Sequence, residues 1–420
     1  MTKSNIIEFA KKSPEVESPE KSQALPTADD STVIYLGIVM FLMNFSFLMF
    51  FSLFPAYLMS LGHSQTSIGV YEGIFEFISQ ILKFSSGFIS DILRRRQALV
   101  LLGCSIIFAG RAMLGFSKQF YYMILGRSID RIGNGLYSIP RDALIAAAAP
   151  ENKRAQSLGF ARSLGQVGAF TGSIFASLLM GYCGFAFKDV FALSVIPSFL
   201  ILLIVFFKVK EIPFEKKEKG KLFKFSELRE LGTKFALLMF IAFIFSLGRC
   251  NEAFMGPYAM RTFGFPVDKV PYVMTIFNIS YTLCAYPIGI LSDKFGRTRM
   301  LVLGILALIT ADMFFFFANS LSMFFVGVVF WGIQVGITQN TFMSLIIDTV
   351  SPNLRGTAFG VFFLISAVCL FCADSTGGYI SDVTGSHAYM YLASSICGLV
   401  SLIVLGIVTR VFNYKLSLKA

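Results

Sequence analysis

One apolar segment of the sequence, at about 120–147, carries polar residues at a spacing that could bind a solute. They recur at helical intervals and fall within an arc of about 100° on a helix, so they form one stripe. A charge at mid-membrane depth costs about 2.5–3.5 kcal/mol, and it persists where it forms an ion pair or lines a wet cavity. The stripe therefore predicts substrate-binding residues, and an ion pair that holds helices together is a compatible alternative. The predicted binding residues are Arg127, Asp130, Arg131 and Asn134, and the stripe continues through Ser138 and Arg141.

Pro140 lies in the same segment and predicts a bend. Proline removes a backbone hydrogen bond and clashes with the carbonyl four residues earlier, here that of Leu136. Gly133 and Gly135 weaken the same turn. A bent helix whose polar face carries arginines is a poor lipid-facing element, so we expect it to form a cavity wall.

A second apolar segment, at about 67–89, supplies charges of the opposite sign. Glu72, Glu76 and Lys83 share one face of the expected helix. Burial favours the protonated form of a carboxylate, whereas a neighbouring cation favours the ionised form. This competition makes Glu72 and Glu76 the predicted proton-coupling residues. A fixed ion pair with an arginine of the 120–147 segment is the alternative.

Fewer candidates lie in the second half of the chain. Arg249 and Glu252 stand three positions apart, a spacing that lets them pair on one helix face. We include both among the predicted substrate-binding residues, together with Gln334 and, from the first half, Asn44.

The composition indicates which elements position these residues. Hydrophobic residues make up 55% of the chain and charged residues 15%, with a mean hydropathy of +0.70. A soluble domain is nearer one quarter charged, so lipid must surround most side chains. Runs of about 20 apolar residues predict spanning helices, because β-barrel strands are about half as long and alternate. Twelve spans are predicted, at about 33–54, 67–89, 98–115, 120–147, 155–179, 190–207, 234–256, 268–291, 300–317, 322–348, 355–378 and 388–411.

The net charge of +11 is distributed as membrane topology requires, and it is not a nucleic-acid signal. Most Lys and Arg residues fall in segments on one side of the predicted spans, so both termini are expected to be cytoplasmic. We predict a disordered tail at 1–32, a six-helix bundle at 33–207, a basic linker at 208–233, a second six-helix bundle at 234–412, and a short tail at 413–420.

The two bundles are predicted to be related, because one motif occurs twice. Gly-Phe-Ile-Ser-Asp at 87–91 returns as Gly-Ile-Leu-Ser-Asp at 289–293, and each copy is followed by basic residues. Glycine permits close helix approach, and an aspartate can bond the free N–H groups at the start of a neighbouring helix. We predict a cytoplasmic gate, with static loop packing as the alternative. The gating residues would be Gly87, Asp91, Arg95, Gly289, Asp293 and Arg297.

From about 33 to 412, the chain resembles the major facilitator superfamily. That family's signature is Gly-x-x-x-Asp-(Arg/Lys)-x-Gly-Arg-(Arg/Lys). The resemblance implies an all-α membrane fold of two pseudo-symmetric six-helix bundles, and a monomer that moves a small-molecule solute by alternating access. The second copy keeps Gly289, Asp293, Lys294, Gly296 and Arg297, and the first keeps Gly87, Asp91, Arg95 and Arg96.

The function expected from these features is secondary active transport. The arginines favour a small polar, anionic organic solute, and the paired glutamates favour proton-coupled symport. The resemblance to bacterial members of the family implies a bacterial inner membrane, with lipid as the surrounding partner. A multidrug/proton antiporter that exports amphipathic cations is the alternative. A membrane enzyme is disfavoured, since the sequence has no phosphate-binding loop and no metal-ligand cluster. We expect no cofactor, no metal and no catalytic residue.

Overall fold

The computed structural model describes residues 30–93, 95–150, 153–211, 230–351 and 354–411, and within them the regular structure is helical. Most of the predicted N-terminal tail, most of the 208–233 linker and the predicted C-terminal tail lie outside the described residues. Nine helices are long and apolar enough to cross a membrane in the part of the chain that is described. The other three spans are of similar length but contain Glu72, Arg127 or Asp293, among other charges.

The twelve predicted spans are confirmed, and three of them consist of two helices. Spans 1 to 6 are Asp30–Phe51 with Phe54–Ser60, Gln65–Leu93, Arg96–Phe116, Phe120–Ala148, Arg154–Gly181, and Phe187–Leu193 with Val195–Lys208. Spans 7 to 12 are Gly232–Gly248 with Met255–Phe263, Pro271–Phe295, Arg297–Phe316, Leu321–Thr349, Arg355–Thr384 and Ala388–Val411.

The breaks in spans 1 and 6 are not apparent from hydropathy, because the apolar run continues through both of them, whereas the break in span 7 coincides with the polar residues Arg249, Asn251 and Glu252. In span 7 the first helix ends at Gly248, and a short 3-10 helix, Glu252–Phe254, precedes the second. The Asn251 side chain accepts a hydrogen bond from the Ala253 amide and so caps that 3-10 helix. Span 4, in contrast, continues as one helix through Pro140.

The same pairs of helices pack together in both halves. Span 3 packs on span 4 and span 1 on span 5, and likewise span 9 packs on span 10 and span 7 on span 11. The two halves meet chiefly where span 2 packs on span 11 and span 5 on span 8. Because successive spans alternate in direction, Asp30, Leu93, Lys208 and Val411 end on one side, named here the termini face. The other side, with Ser60, Gln65 and Thr384, is the opposite face.

Small residues set the close approach that the buried charges require. A side chain at Gly110 of span 3 would collide with the Asp130 amide and the Gly126 carbonyl of span 4. Between the halves, a side chain at Gly69 of span 2 would collide with the backbone carbonyl of Asp374 in span 11. Glycine therefore brings two backbones together at the level of Asp130 and again at the level of Asp374.

Candidate functional site

A buried ionic cluster occupies the centre of the N-terminal half, around Asp130. Its carboxylate accepts hydrogen bonds from Arg111 Nε at 2.9 Å, Arg127 Nη1 at 3.2 Å and Arg131 Nη2 at 3.0 Å. Arg127 Nη2 also lies 3.5 Å from Glu72 Oε2. All five residues are at most 7% exposed. The cluster contains three guanidinium groups and two carboxylates, so it has one positive charge in excess when every group is ionised.

Arg111 of span 3 was not among the predicted site residues. Besides the Asp130 carboxylate, it donates from Nη1 to the Met43 carbonyl at 3.3 Å and to Ser198 Oγ at 3.1 Å. It thereby ties spans 1, 3, 4 and 6 together. The signal available in the sequence was a single arginine in an otherwise apolar run, which by the membrane cost of a charge requires a partner.

Phenylalanine rings surround the arginines of span 4. The Arg127 guanidinium carbon lies 5.0 Å from the Phe47 ring centre, 5.1 Å from Phe50, 5.3 Å from Phe51 and 5.4 Å from Phe75. Cation–π attraction is strongest where water is excluded, as it is here. In the structure, these four line the ionic cluster.

A second set of charges lies where the halves face each other. The Glu76 carboxylate of span 2 accepts a hydrogen bond from Gln80 at 2.7 Å, and the charges of Lys83, Arg131 and Arg249 act on it. The charges of Arg249, Glu76 and Arg131 likewise act on Glu252. Residues of the two halves therefore interact electrostatically across the interface.

The predicted helical pairing of Arg249 with Glu252 is wrong in its geometry. Arg249 follows the last residue of the first helix of span 7 with an extended backbone, and Glu252 begins the 3-10 helix. The two residues therefore flank a break rather than sharing a helix face. Both are half-buried, and the charges of both interact with that of Glu76 in span 2 of the other half.

The remaining predicted binding residues form hydrogen bonds between neighbouring helices or within one helix. Asn44 Nδ2 donates to the Gly165 carbonyl at 3.0 Å, which joins spans 1 and 5. Asn134 Oδ1 accepts from Ser79 Oγ at 3.4 Å, which joins spans 2 and 4. Gln334 is fully buried, and its Nε2 donates to Thr338 within span 10.

At the termini face, one contact is repeated in both halves. Arg297 Nη1 donates to the Ser344 carbonyl at 2.5 Å and lies 2.6 Å from Asp348 Oδ2. Arg96 Nη1 donates to the Ala143 carbonyl at 3.2 Å, and both residues of this contact precede Arg297 and Ser344 by 201 positions. The structural counterpart of Arg297 is therefore Arg96 and not Arg95, which is exposed.

Gly87 is half-buried in span 2, and the nearest neighbour of a side chain there would be Ile139 of span 4. The side chain of Asp91 and the positions of Gly289 and Asp293 within span 8 lie outside the part of the structure whose side chains are described. A carboxylate does bond a neighbouring helix start at this face, but it belongs to Glu211. Its oxygens accept from the Arg96 and Gln97 amides at 2.9 and 2.8 Å.

At the opposite face, hydrogen bonds connect the two halves. The Asp382 carboxylate of span 11 accepts from the Gln65 amide at 3.0 Å, the Thr66 amide at 2.8 Å and Thr66 Oγ1 at 2.6 Å. It thus caps the start of span 2, where the helix dipole favours an anion. Ser177 Oγ of span 5 donates to the Asp268 carbonyl at 2.6 Å. The halves are therefore joined at this face, in a contact that the sequence motifs did not indicate.

Fold and buried charge together define a class: a multi-pass helical membrane protein with two related bundles and polar groups at their interface. A family model described as Major Facilitator Superfamily matches residues 34–249 and 238–415. The chain belongs to this family of transporters. It is therefore an integral membrane transporter of a small-molecule solute and not an enzyme.

Relatives and solved structures agree with this placement. An uncharacterised MFS-type transporter of Methanocaldococcus jannaschii is 28% identical, over 86% of this chain and 90% of its own. A probable nitrate transporter of Staphylococcus haemolyticus is 21% identical, over 78% of this chain and 84% of its own. The nucleoside transporter NupG has a TM-score of 0.76 at 14% identity, covering 90% of this chain and all of that one. The last comparison concerns the fold alone.

Proposed function

We propose that this transporter moves a small, anionic organic solute by alternating access and couples that movement to protons. One observation carries the choice of an anion. The buried cluster around Asp130 has three guanidinium groups for two carboxylates, which leaves one positive charge to be balanced. An uncompensated charge in a low-dielectric interior is costly, and a bound anion would remove that cost.

The solute site is proposed between the halves. Arg131 belongs to the buried cluster and also acts electrostatically on Glu252 across the interface. Arg249 forms no ion pair within 4 Å among the described residues, and it lies at the break of span 7. Transporters of this general design bind their solutes at discontinuous helices near the bilayer midplane, between the repeats. Arg131 and Arg249 would therefore contact the solute from opposite halves.

Proton coupling is assigned to Glu72 and Glu76. Glu72 Oε1 has no hydrogen-bond partner among the described residues, and its other oxygen lies 3.5 Å from Arg127. An anion that draws Arg127 or Arg131 toward itself would weaken the attraction that favours the ionised form of these glutamates. Solute binding would then favour proton uptake, and the two would move together as in a symporter.

The orientation follows from charge. Among the described residues, the basic side chains Arg95, Arg96, Lys208 and Lys210 lie at the termini face, and positive residues are retained in the cytoplasm. We place the termini face in the cytoplasm of a bacterial cell, with the protein acting as a monomer in the inner membrane. In that orientation, the structure is closed toward the outside.

One relative supports an anionic solute, namely the probable nitrate transporter, since nitrate is an anion. A second function, proton-coupled export of amphipathic cations, is favoured by a different observation. Three acidic residues, Glu72, Glu76 and Glu252, all act electrostatically on Asp374 where the halves meet. Phenylalanine rings line the adjacent ionic cluster around Asp130. Acidic groups beside aromatic rings suit an amphipathic cation.

A binding screen separates the two functions. Purified protein would be heated with nitrate, short-chain carboxylates, tetraphenylphosphonium or ethidium, and its unfolding temperature measured. We expect an anion to stabilise the wild type and Arg261→Gln, but not Arg249→Gln. Arg261 is the control because it is an exposed arginine of the same span. Stabilisation by the cations alone would instead establish the second function.

A further inference from the structure

Span 11 contains a buried acid that the transport cycle described above does not use. Asp374 is fully buried, and its Oδ1 accepts a hydrogen bond from the Asn251 amide at 2.7 Å. Its Oδ2 has no hydrogen-bond partner among the described residues. Neither oxygen has a lysine or arginine nitrogen within 4 Å in the described part of the chain. A carboxylate in this position is unfavourable when ionised and acceptable when it carries a proton.

The ionisable groups that face Asp374 increase this preference. Span 2 contributes Glu72 and Glu76, and the break of span 7 contributes Glu252 and the thiol of Cys250. Each of these is negative or neutral. Arg249, the cation of the same break, acts on Glu76 and Glu252. Span 12 contributes the hydroxyl of Tyr391, which interacts with Cys250. An ionised Asp374 would add a further negative charge beside three glutamates.

Asp374 also lies at the point where the two halves touch. Its backbone carbonyl lies against Gly69 of span 2, so closely that no side chain fits there. One turn along each helix, Gly73 of span 2 packs on Phe371 of span 11, where an added side-chain carbon would lie 3.1 Å from the Phe371 Cα. Through Asn251, the same side chain bonds the backbone of the span 7 break. A change of charge at Asp374 would therefore act on the break and on the contact between the halves together.

We propose that Asp374 binds a proton that holds the opposite face closed, and that loss of this proton drives spans 2 and 11 apart. In the protonated state, the carboxyl is neutral beside Glu72, Glu76 and Glu252, and the helices pack tightly. After the proton leaves to solvent, like charges repel across the Gly69 contact and the opposite face opens. The inference rests on the proposed alternating access but not on the identity of the solute.

Asp312 of span 9 provides a matched control. It too is a fully buried acid with one unpartnered oxygen, and its other oxygen accepts from Ser394 Oγ at 2.5 Å. Its hydrogen bond is to span 12 of the same half. If burial alone produced the effect, Asp312 and Asp374 would behave alike. If the contact between the halves is required, only Asp374 would respond.

The test is hydrogen–deuterium exchange of the full-length protein in liposomes with no solute added, from about pH 6.5 upward, above the range in which an unfolded histidine gains a proton. Exchange at the starts of spans 2 and 12 would be corrected for the intrinsic pH dependence of amide exchange. We expect protection to fall with rising pH in the wild type, in Asp312→Asn and in Asp374→Glu. Asp374→Asn should stay protected at every pH.

Three outcomes would overturn the proposal. They are an unchanged pH dependence in Asp374→Asn, an equal loss of pH dependence in Asp312→Asn, and protection by sodium but not choline at fixed pH. The last would make the bound cation sodium. If Asp374→Asn does not fold, the Asp374→Glu variant serves instead. Protection in Asp374→Glu that does not change with pH would also refute the proposal. Because no solute is added, failure of the anion screen leaves this measurement interpretable, and the two proposals can fail separately.

Discussion

The two halves of this transporter repeat one scaffold but bury charge in opposite ways. In the N-terminal half, Asp130 is held by three arginines. In the C-terminal half, Asp312 and Asp374 are equally buried, and neither forms an ion pair within the described residues. Arg111 and Asp312 stand 201 positions apart, the offset that also relates Arg96 to Arg297. Equivalent positions thus hold a cation in one half and an acid in the other.

The comparison indicates which features duplication preserves. Contacts that hold the scaffold, such as those of Arg96 and Arg297 with the neighbouring helix end, recur in both halves. Buried charges do not recur, because each is costly in lipid and persists only where it has a use or a partner. The divergence fits the two proposals, in which the buried cluster of the N-terminal half supplies the excess positive charge for an anion, and Asp374 of the C-terminal half adds a proton site to those at Glu72 and Glu76.

The largest expected difference is between two single variants, in which a buried aspartate of one half or of the other is replaced by asparagine. Asp130→Asn should destabilise the protein by about 3–5 kcal/mol, because it leaves three buried guanidinium groups with only Glu72. Asp312→Asn should be nearly neutral or stabilising at neutral pH, since the amide oxygen still accepts from Ser394. Denaturant unfolding in detergent measures both. Equal losses in the two variants would remove the distinction between the halves.

Acid should affect the C-terminal half selectively. His387 precedes span 12 and is fully buried, and burial together with the nearby charge of Arg261 lowers its pKa to about 3. The folded state therefore favours the neutral imidazole. The resulting stability is present above the unfolded pKa of about 6.5 and is lost as pH falls toward the folded value, by about 3 kcal/mol near pH 4.

Trp331 reports this change, because it is the only tryptophan in the chain and lies in the C-terminal half. Its fluorescence should show acid unfolding in the wild type, and His387→Gln should weaken the acid dependence. As a control, Lys188→Gln changes an exposed residue at the opposite face of the N-terminal half. An acid transition that is the same in His387→Gln as in the wild type would contradict the assignment.

A smaller effect is expected where the halves meet. Asp382→Asn weakens the cap of span 2, because a neutral amide interacts less with the helix start than a carboxylate does. The cost should be about 1 kcal/mol, the usual value for such a cap. It should appear as faster hydrogen exchange at Gln65 and Thr66, with little change at the termini face. An equal increase in hydrogen exchange at both faces would show that Asp382 stabilises the whole fold rather than this contact.

Much of the fold could be predicted from the sequence, since lipid forces each apolar run of sufficient length into a helix. Asp130, Arg127 and Arg131 were predicted as one stripe because helical periodicity places them on one face. Arg111 was missed because its partner lies on another helix, and periodicity says nothing of pairing between helices. The break at Gly248 was missed because Arg249 and Glu252, the charged residues that flank it, were interpreted as a pair on one continuous helix face.

The contact of Asp382 with span 2 could not have been found either. It joins residues that are 316 positions apart, and its geometry depends on how the two bundles are docked. The gate motif at 87–91 and 289–293 was more visible in the sequence only because it is repeated. Its role in gating stays a prediction. The contact of Asp382 with the start of span 2, which closes the opposite face, can be tested directly.

Alternating access, the central claim, is tested most directly by locking that contact. Thr66→Cys with Asp382→Cys, in a Cys183→Ser background that removes an exposed thiol, would be cross-linked in proteoliposomes. Uptake of the anion panel would be measured under an imposed pH gradient. We predict that one anion accumulates, that cross-linking abolishes its uptake, and that reduction restores it. Uptake that persists while the cross-link is intact would contradict alternating access about this interface.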